Sequence, residues 1–229
     1  MEISKYMKAF LERNETKALI DSNSFETLYL SCYVWNRTEL TKLLAKASIN
    51  PLPYLYSIPM HFSDKNLDIS IFKVPKNIMY IKERAFFGCK NLITLNFEDD
   101  SKLEGIDVYA FSGTGLSKIT LPKSVIALAQ YSFSDCNNLE HIDIESENLA
   151  LSSHAFSGNN RLKEVKLPHL TILQPDVFSG SNIEKIYFKD SFDDVIKAIH
   201  NDREIDIKTT EDLLRYLDIK IDAKAYFEV

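Results

Sequence analysis

Apolar side chains recur along the middle of the chain with a period far longer than that of a helix or a strand. Phenylalanine stands at Phe86, Phe111, Phe133, Phe156 and Phe178, at intervals of 25, 22, 23 and 22 residues. Five positions before each is an aliphatic residue: Ile81, Ile106, Leu128, Leu151 and Leu173. After each comes an apolar triplet: Leu92, Leu95, Phe97; Leu116, Ile119, Leu121; Leu139, Ile142, Ile144; Leu162, Val165, Leu167; Ile183, Ile186, Phe188. The alternation at the last two triplet positions predicts a short strand with one buried face. The turn after the phenylalanine is one residue shorter in the second and fifth copies, at Ser112–Gly115 and Ser179–Asn182. A weaker earlier copy runs through Phe62, Ile69, Phe72 and Val74. One such unit cannot bury its apolar stripe alone. Stacking successive units joins the stripes into one core and the strands into a parallel sheet, about 4.8 Å per strand.

The pattern changes on both sides, which divides the chain into a helical N-terminal cap (1–58), a repeat solenoid (59–190) and a small α+β C-terminal cap (191–229). Ile3, Tyr6, Met7, Phe10 and Leu11 share one helix face. Asn23–Glu26 has capping-box spacing, and Thr38 is placed to cap a helix carrying Leu40, Leu43 and Leu44. Asn50-Pro51-Leu52-Pro53 ends the helical part. Beyond the repeats, Ser191–Asp194 and Thr209–Asp212 each predict a helix start, with a short β-like run at Glu204–Ile207 between them. Both flanks would cover the open ends of the stack, where apolar core is otherwise exposed.

Two phrases carry a family resemblance: Ile81-Lys-Glu-Arg-Ala85-Phe86-Phe-Gly-Cys89-Lys-Asn-Leu92 and Leu121-Pro122-Lys-Ser-Val125. They resemble the BspA-type leucine-rich repeat, in which a hydrophobic-x-x-x-Ala-Phe-x-Gly-Cys-x-x-Leu turn is followed by Ile-x-Leu-Pro-x-x-Val. The resemblance implies an α/β repeat solenoid of five to six leucine-rich repeats. It also implies company with extracellular adhesins and with partner-binding proteins of bacteria, phages and protists. The proline is missing from the first and third copies, at Phe97-Glu98 and Ile144-Glu145, so the backs of alternate repeats are expected to differ.

Composition narrows the chemistry. A net charge of −6 argues against indiscriminate nucleic-acid binding, which needs excess Lys and Arg. The N-terminus has no apolar signal-peptide core, and no run reaches the ~20 apolar residues of a membrane span, so a cytoplasmic protein without membrane or nucleic-acid partners is expected. The cysteines Cys32, Cys89 and Cys136 have no zinc-like spacing. Cys89 and Cys136 are two repeats apart, about 10 Å by strand spacing, beyond disulfide reach. The five histidines share no motif. Gly113-Thr-Gly115-Leu-Ser-Lys118 lacks phosphate-loop spacing and reads as a repeat turn. No catalytic, metal or cofactor residues are therefore assigned.

The outward positions between the buried triplet residues form the candidate site. Stacking brings together Ile93 and Asn96, Lys118 and Thr120, His141 and Asp143, Glu164 and Lys166, and Tyr187. Such a ladder predicts a non-catalytic scaffold that binds a partner protein. A phage or mobile-element protein that blocks a host enzyme is the narrower form. Two other classes make distinct predictions. A carbohydrate or other small-molecule binder needs an aromatic-lined pocket. A hydrolase in the helical cap needs Glu12, Glu15, Asp21 and Glu26 to converge. Oligomeric state is left open.

Overall fold

The computed structural model of the chain describes residues 57–58, 60–63, 69–199, 207–220 and 222–227. The expected N-terminal helices, Cys32, the four carboxylates of the hydrolase reading and most of the β-like run at 204–207 lie outside the described residues.

Each repeat contributes two strands to a β-solenoid of about five turns. The first strands are two residues long in β1 (Ser57–Ile58), β3 (Tyr80–Ile81), β5 (Gly105–Ile106) and β7 (Ala127–Leu128) and lengthen in β9 (Asn148–Leu151) and β11 (His169–Leu173). They form one parallel six-stranded sheet in the order β1-β3-β5-β7-β9-β11. The second strands are those the alternation predicts: β2 (Ile71–Val74), β4 (Thr94–Phe97), β6 (Lys118–Leu121), β8 (His141–Ile144), β10 (Glu164–Leu167) and β12 (Lys185–Phe188). The phenylalanines Phe86, Phe111, Phe133, Phe156 and Phe178 are fully buried between the sheets. Their rings stack in one column, with successive centroids 5.1, 5.2, 5.6 and 5.8 Å apart. Each buried ring contributes about 1.5–3 kcal/mol from apolar burial.

The expected α/β character is corrected: within the described repeats there is no helix. The segment from the first strand to the phenylalanine closes in tight turns, as in Ala85 N–H to the Lys82 carbonyl (3.1 Å) and Phe87 N–H to Arg84 (3.2 Å). A left-handed residue interrupts each turn before a helix can propagate. Arg84, Tyr109, Tyr131, His154 and Asp176 all have φ between 53° and 60°. For a non-glycine residue that costs roughly 1–2 kcal/mol. Side-chain stacking offsets part of it: Tyr109 lies on Tyr131 at 4.8 Å and Tyr131 on His154 at 4.9 Å.

The second strands do not form the continuous sheet the repeat suggests. They divide into β2-β4, β6-β8 and a block begun by β10-β12. Proline explains where the breaks fall. In paired strands the residue after the strand donates to the repeat before: Glu98 N–H to Val74 (3.0 Å), Glu145 to Leu121 (3.1 Å), Lys189 to Leu167 (3.1 Å). At the two seams the equivalent residues are Pro122 and Pro168, which have no N–H to give.

After the last repeat come α1 (Phe192–Ala198), α2 (Thr210–Tyr216) and β13 (Lys224–Phe227). Ser191 accepts from Asp194 N–H at 3.3 Å, and Thr209 and Asp212 form a complete capping box. The backbone of α2 and its cap meet the last turn: Asp176 N–H donates to Tyr216 (2.8 Å) and Phe178 N–H to Leu217 (3.3 Å). The Tyr216 hydroxyl donates to the Leu173 carbonyl at 2.9 Å. Strand β13 pairs parallel with β12, making a three-stranded block β10-β12-β13.

Candidate functional site

The second strands present two outward rows. The first runs Ile71, Thr94, Lys118, His141, Glu164, Lys185, Lys224; the second runs Lys73, Asn96, Thr120, Asp143, Lys166, Tyr187, Tyr226. Of the nine residues assigned from sequence, eight stand in these rows. Ile93 stands one residue before β4, 52% exposed, with its N–H on the Ser70 carbonyl at 2.9 Å.

Charges within the rows pair locally. Lys118 meets Asp143 at 2.7 Å, Glu164 meets Lys185 at 3.9 Å, and upstream Lys163 meets Glu184 at 2.6 Å. The Lys163 hydrogen bond holds the Glu184 carboxyl below its ordinary value. Arg161 reaches Glu140 at 3.3 Å across the seam between β8 and β10. These pairs are exposed and screened by water, so they contribute little to stability.

Aromatic side chains gather at the C-terminal end of the face. Tyr187 stacks on Tyr226 at 4.7 Å, and the Lys166 ammonium lies 5.8 Å from the other side of the Tyr187 ring. Tyr226 and Lys224 were missed because β13 lies beyond the last phenylalanine. The signal was present: Lys224-Ala-Tyr-Phe227 repeats Lys185-Ile-Tyr-Phe188.

Both seams open into clefts. The one between β4 and β6 has a volume of about 940 Å³ and is lined by Asn96, Glu98, Asp99, Lys118, Thr120 and Pro122 among others. At the β8/β10 seam, a cleft of about 690 Å³ is lined by Glu145, Lys166, Pro168 and Tyr187 among others, and one of about 590 Å³ by His141, Asp143, Arg161 and Lys166 among others. All three are open rather than enclosed; their walls mix charged and apolar side chains, and the 690 Å³ cleft also carries Tyr187, Phe188, Tyr226 and Phe227.

The remaining candidate chemistry resolves into structure. Cys136 Sγ donates to the Phe111 carbonyl at 3.2 Å, Asn159 Nδ2 to Phe133 at 3.0 Å and Ser181 Oγ to Phe156 at 2.9 Å. This turn position wants a small donor for the preceding repeat's phenylalanine carbonyl, which is why Cys, Asn and Ser interchange there. Cys89 and Cys136 are buried thiols outside any disulfide, and burial pushes Cys136 up to about 11. His169 Nδ1 contacts Asp190 at 2.5 Å, and Asp190 also accepts from Leu170 N–H at 2.7 Å. The neighbouring Ser191 hydroxyl is turned to Asp194 at 2.7 Å, so it does not extend that pair toward a nucleophile. Among the described residues no three His, Cys, Asp or Glu side chains are grouped to hold a metal. No described helix is long and apolar enough to cross a membrane.

Two stacked layers of parallel strands, a phenylalanine spine and a ribbed polar face define a leucine-rich-repeat solenoid. The BspA-type leucine-rich repeat region model matches residues 57–184 in six copies. The chain belongs to that family. Among solved structures, it is similar to the pneumococcal vaccine antigen PcpA (26% identity, TM-score 0.49, 58% of this chain and 34% of that one). It is also similar to a leucine-rich repeat protein from Bacteroides ovatus (24%, 0.40, 58% and 46%). A third likeness is to a leucine-rich cell surface protein from Faecalibacterium prausnitzii (18%, 0.35, 52% and 39%). The similarity thus spans less than half the length of each of these proteins. Comparison with curated proteins gives no match.

Proposed function

We propose that the chain is a non-catalytic scaffold that binds a partner protein through its second-strand face. One observation carries this reading. The repeats and β13 set two rows of outward side chains, seven residues each, most of them exposed and Thr94, Thr120 and Tyr187 half-buried, and the rows combine paired charges with a tyrosine cluster. Solenoids commonly use such extended faces for recognition, and aromatic side chains carry more interface energy than rim charges. Ile93, Tyr187 and Tyr226 are the anchors, and Lys118, Asp143, Glu164 and Lys166 set register and specificity. Asn96, Thr120 and His141 supply hydrogen bonds between them.

In this reading the flanks cap the solenoid and the partner is met inside the cell. Blocking of a host enzyme by a phage or mobile-element protein is its narrower form, supported by the family resemblance alone. The test is a pull-down from host lysate comparing the natural chain with a folded Asp143→Lys, Lys166→Glu, Tyr187→Ala variant. A partner held by the natural chain and lost by the variant is the expected result. A partner retained by both places the contact elsewhere.

A further inference from the structure

Among the described residues, the three-stranded block ends on β13, whose far edge carries no strand. Lys224 N–H donates to the Glu184 carbonyl at 2.9 Å. Successive residues of a strand in a parallel ladder address opposite edges, so the N–H and C=O groups of Ala225 and Phe227 point away from β12. Such an edge is a template for a further strand.

The sequence of β13 says which strand. It matches β12 in register: Lys224 with Lys185, Tyr226 with Tyr187, Phe227 with Phe188. β12 already has a neighbour on its other side, Glu164-Val-Lys-Leu167 of β10. There Glu164 meets Lys185 at 3.9 Å, and Lys166 lies 5.8 Å from the Tyr187 ring centre. Leu167 stands opposite Phe188. On β13, Lys224 and Tyr226 have no such neighbour on their outer side among the described residues, while Phe227 meets the Phe192 ring edge-on at 5.4 Å. Tyr226 is 41% exposed, with one ring face against Tyr187. Lys224 stands directly opposite Lys185, a like-charge pair that a carboxylate on the next strand would relieve.

We propose that the free edge of β13 takes an extended segment of another protein as an added parallel strand, reading acidic–aliphatic–cationic–aliphatic. The carboxylate meets Lys224, the cation covers the open face of Tyr226, and the second aliphatic residue meets Phe227. Main-chain bonds to Ala225 and Phe227 hold the segment, and the side chains select it. This contact goes beyond the face reading and is tested by different variants.

The probe is an end-blocked, fluorescein-labelled peptide with the sequence of residues 162–168, titrated against the full chain by fluorescence anisotropy. Saturable binding is expected. It weakens roughly tenfold when the peptide's glutamate becomes lysine, and recovers when that lysine peptide meets the Lys224→Glu chain. The same residues in reverse order bind more weakly, because they match the edge only as an antiparallel strand. Ala225→Pro abolishes binding by removing an outward N–H while sparing the bonds to β12. Asp143→Lys, on the face, leaves peptide binding unchanged. The proposal is overturned by absence of saturable binding, by binding indifferent to the charge swap, or by equal binding of the reversed peptide. A peptide-free dimer joined through β13 would overturn it in favour of a second copy.

Discussion

The same repeats build both sheets of the solenoid, yet one sheet runs unbroken through six strands and the other is cut into three blocks. The unbroken sheet has two-residue strands in β1, β3, β5 and β7 that lengthen to four and five residues in β9 and β11, outward positions that run from Tyr80 through Gly105, Ala127 and Ala150 to Ile172, and no proline within any of these strands. The cut sheet has four-residue strands throughout, outward residues that are mostly charged or polar and end in Tyr187 and Tyr226, and a proline after every second strand: Pro75, Pro122 and Pro168. One missing N–H per seam is enough to part the strands there, because the phenylalanine column and the opposite sheet still hold the repeats together. The continuous sheet keeps the stack rigid, while the divided one supplies side chains, clefts and an open edge.

The largest effect is expected from the element both sheets share. Phe133→Ala empties the middle of the ring column and costs about 3–5 kcal/mol by denaturant unfolding. Since Phe133 contacts the rings of both Phe111 and Phe156, the loss should weaken both sheets together. A cost confined to one sheet in hydrogen exchange would break the comparison. Next, Glu145→Pro copies a seam into the β6-β8 block, leaving the Leu121 carbonyl without its donor. A loss of about 1–3 kcal/mol is expected, with faster amide exchange in β8 and none in β9. The reverse changes, Pro122→Glu and Pro168→Glu, restore a donor at each seam. Each should add about 0.5–1.5 kcal/mol and slow exchange in β6 or β10.

Two smaller effects concern charge. Breaking the Lys118–Asp143 pair with Asp143→Asn should change stability by less than about 1 kcal/mol while weakening partner capture, which separates fold from recognition. Glu184, Asp194 and Asp212 are all held below their ordinary values of 4.5, 3.8 and 3.8, the first cause in each case being a side-chain hydrogen bond, from Lys163, Lys197 and Thr209 respectively. A lowered folded value means the contribution is complete above the ordinary value and disappears as the pH falls through the folded one. Thermal melts should therefore drop below about pH 4.5, beginning at Glu184 before β12, with the C-terminal Asp194 and Asp212 following below about pH 3.8.

Much of the cut sheet was legible in the sequence, because each of its strands from β4 to β12 shows apolar alternation downstream of a fixed phenylalanine. The outward residues followed from that alternation, and both C-terminal helix starts from Ser191 and Thr209. The unbroken sheet was not legible. Tyr80–Ile81 and Gly105–Ile106 are too short to alternate, and only stacking makes them strands. The segment around each phenylalanine was read as a turn, but nothing in the composition of Lys82–Phe87 announces a left-handed residue at Arg84. Strand β13 escaped because it lies outside the phenylalanine period, although its sequence copies β12. The absent prolines at Glu98 and Glu145 were visible. That they decide which strands pair required the backbone hydrogen bonds.

The claim that the cut sheet is the recognition face is tested most directly by photo-crosslinking in host cells. A photoreactive residue would replace Asn96 or Thr120 on that face, and Ala127 on the unbroken sheet, one at a time. Crosslinks to a common partner from positions 96 and 120, with none from 127, are predicted. Crosslinks from 127 alone would contradict the account.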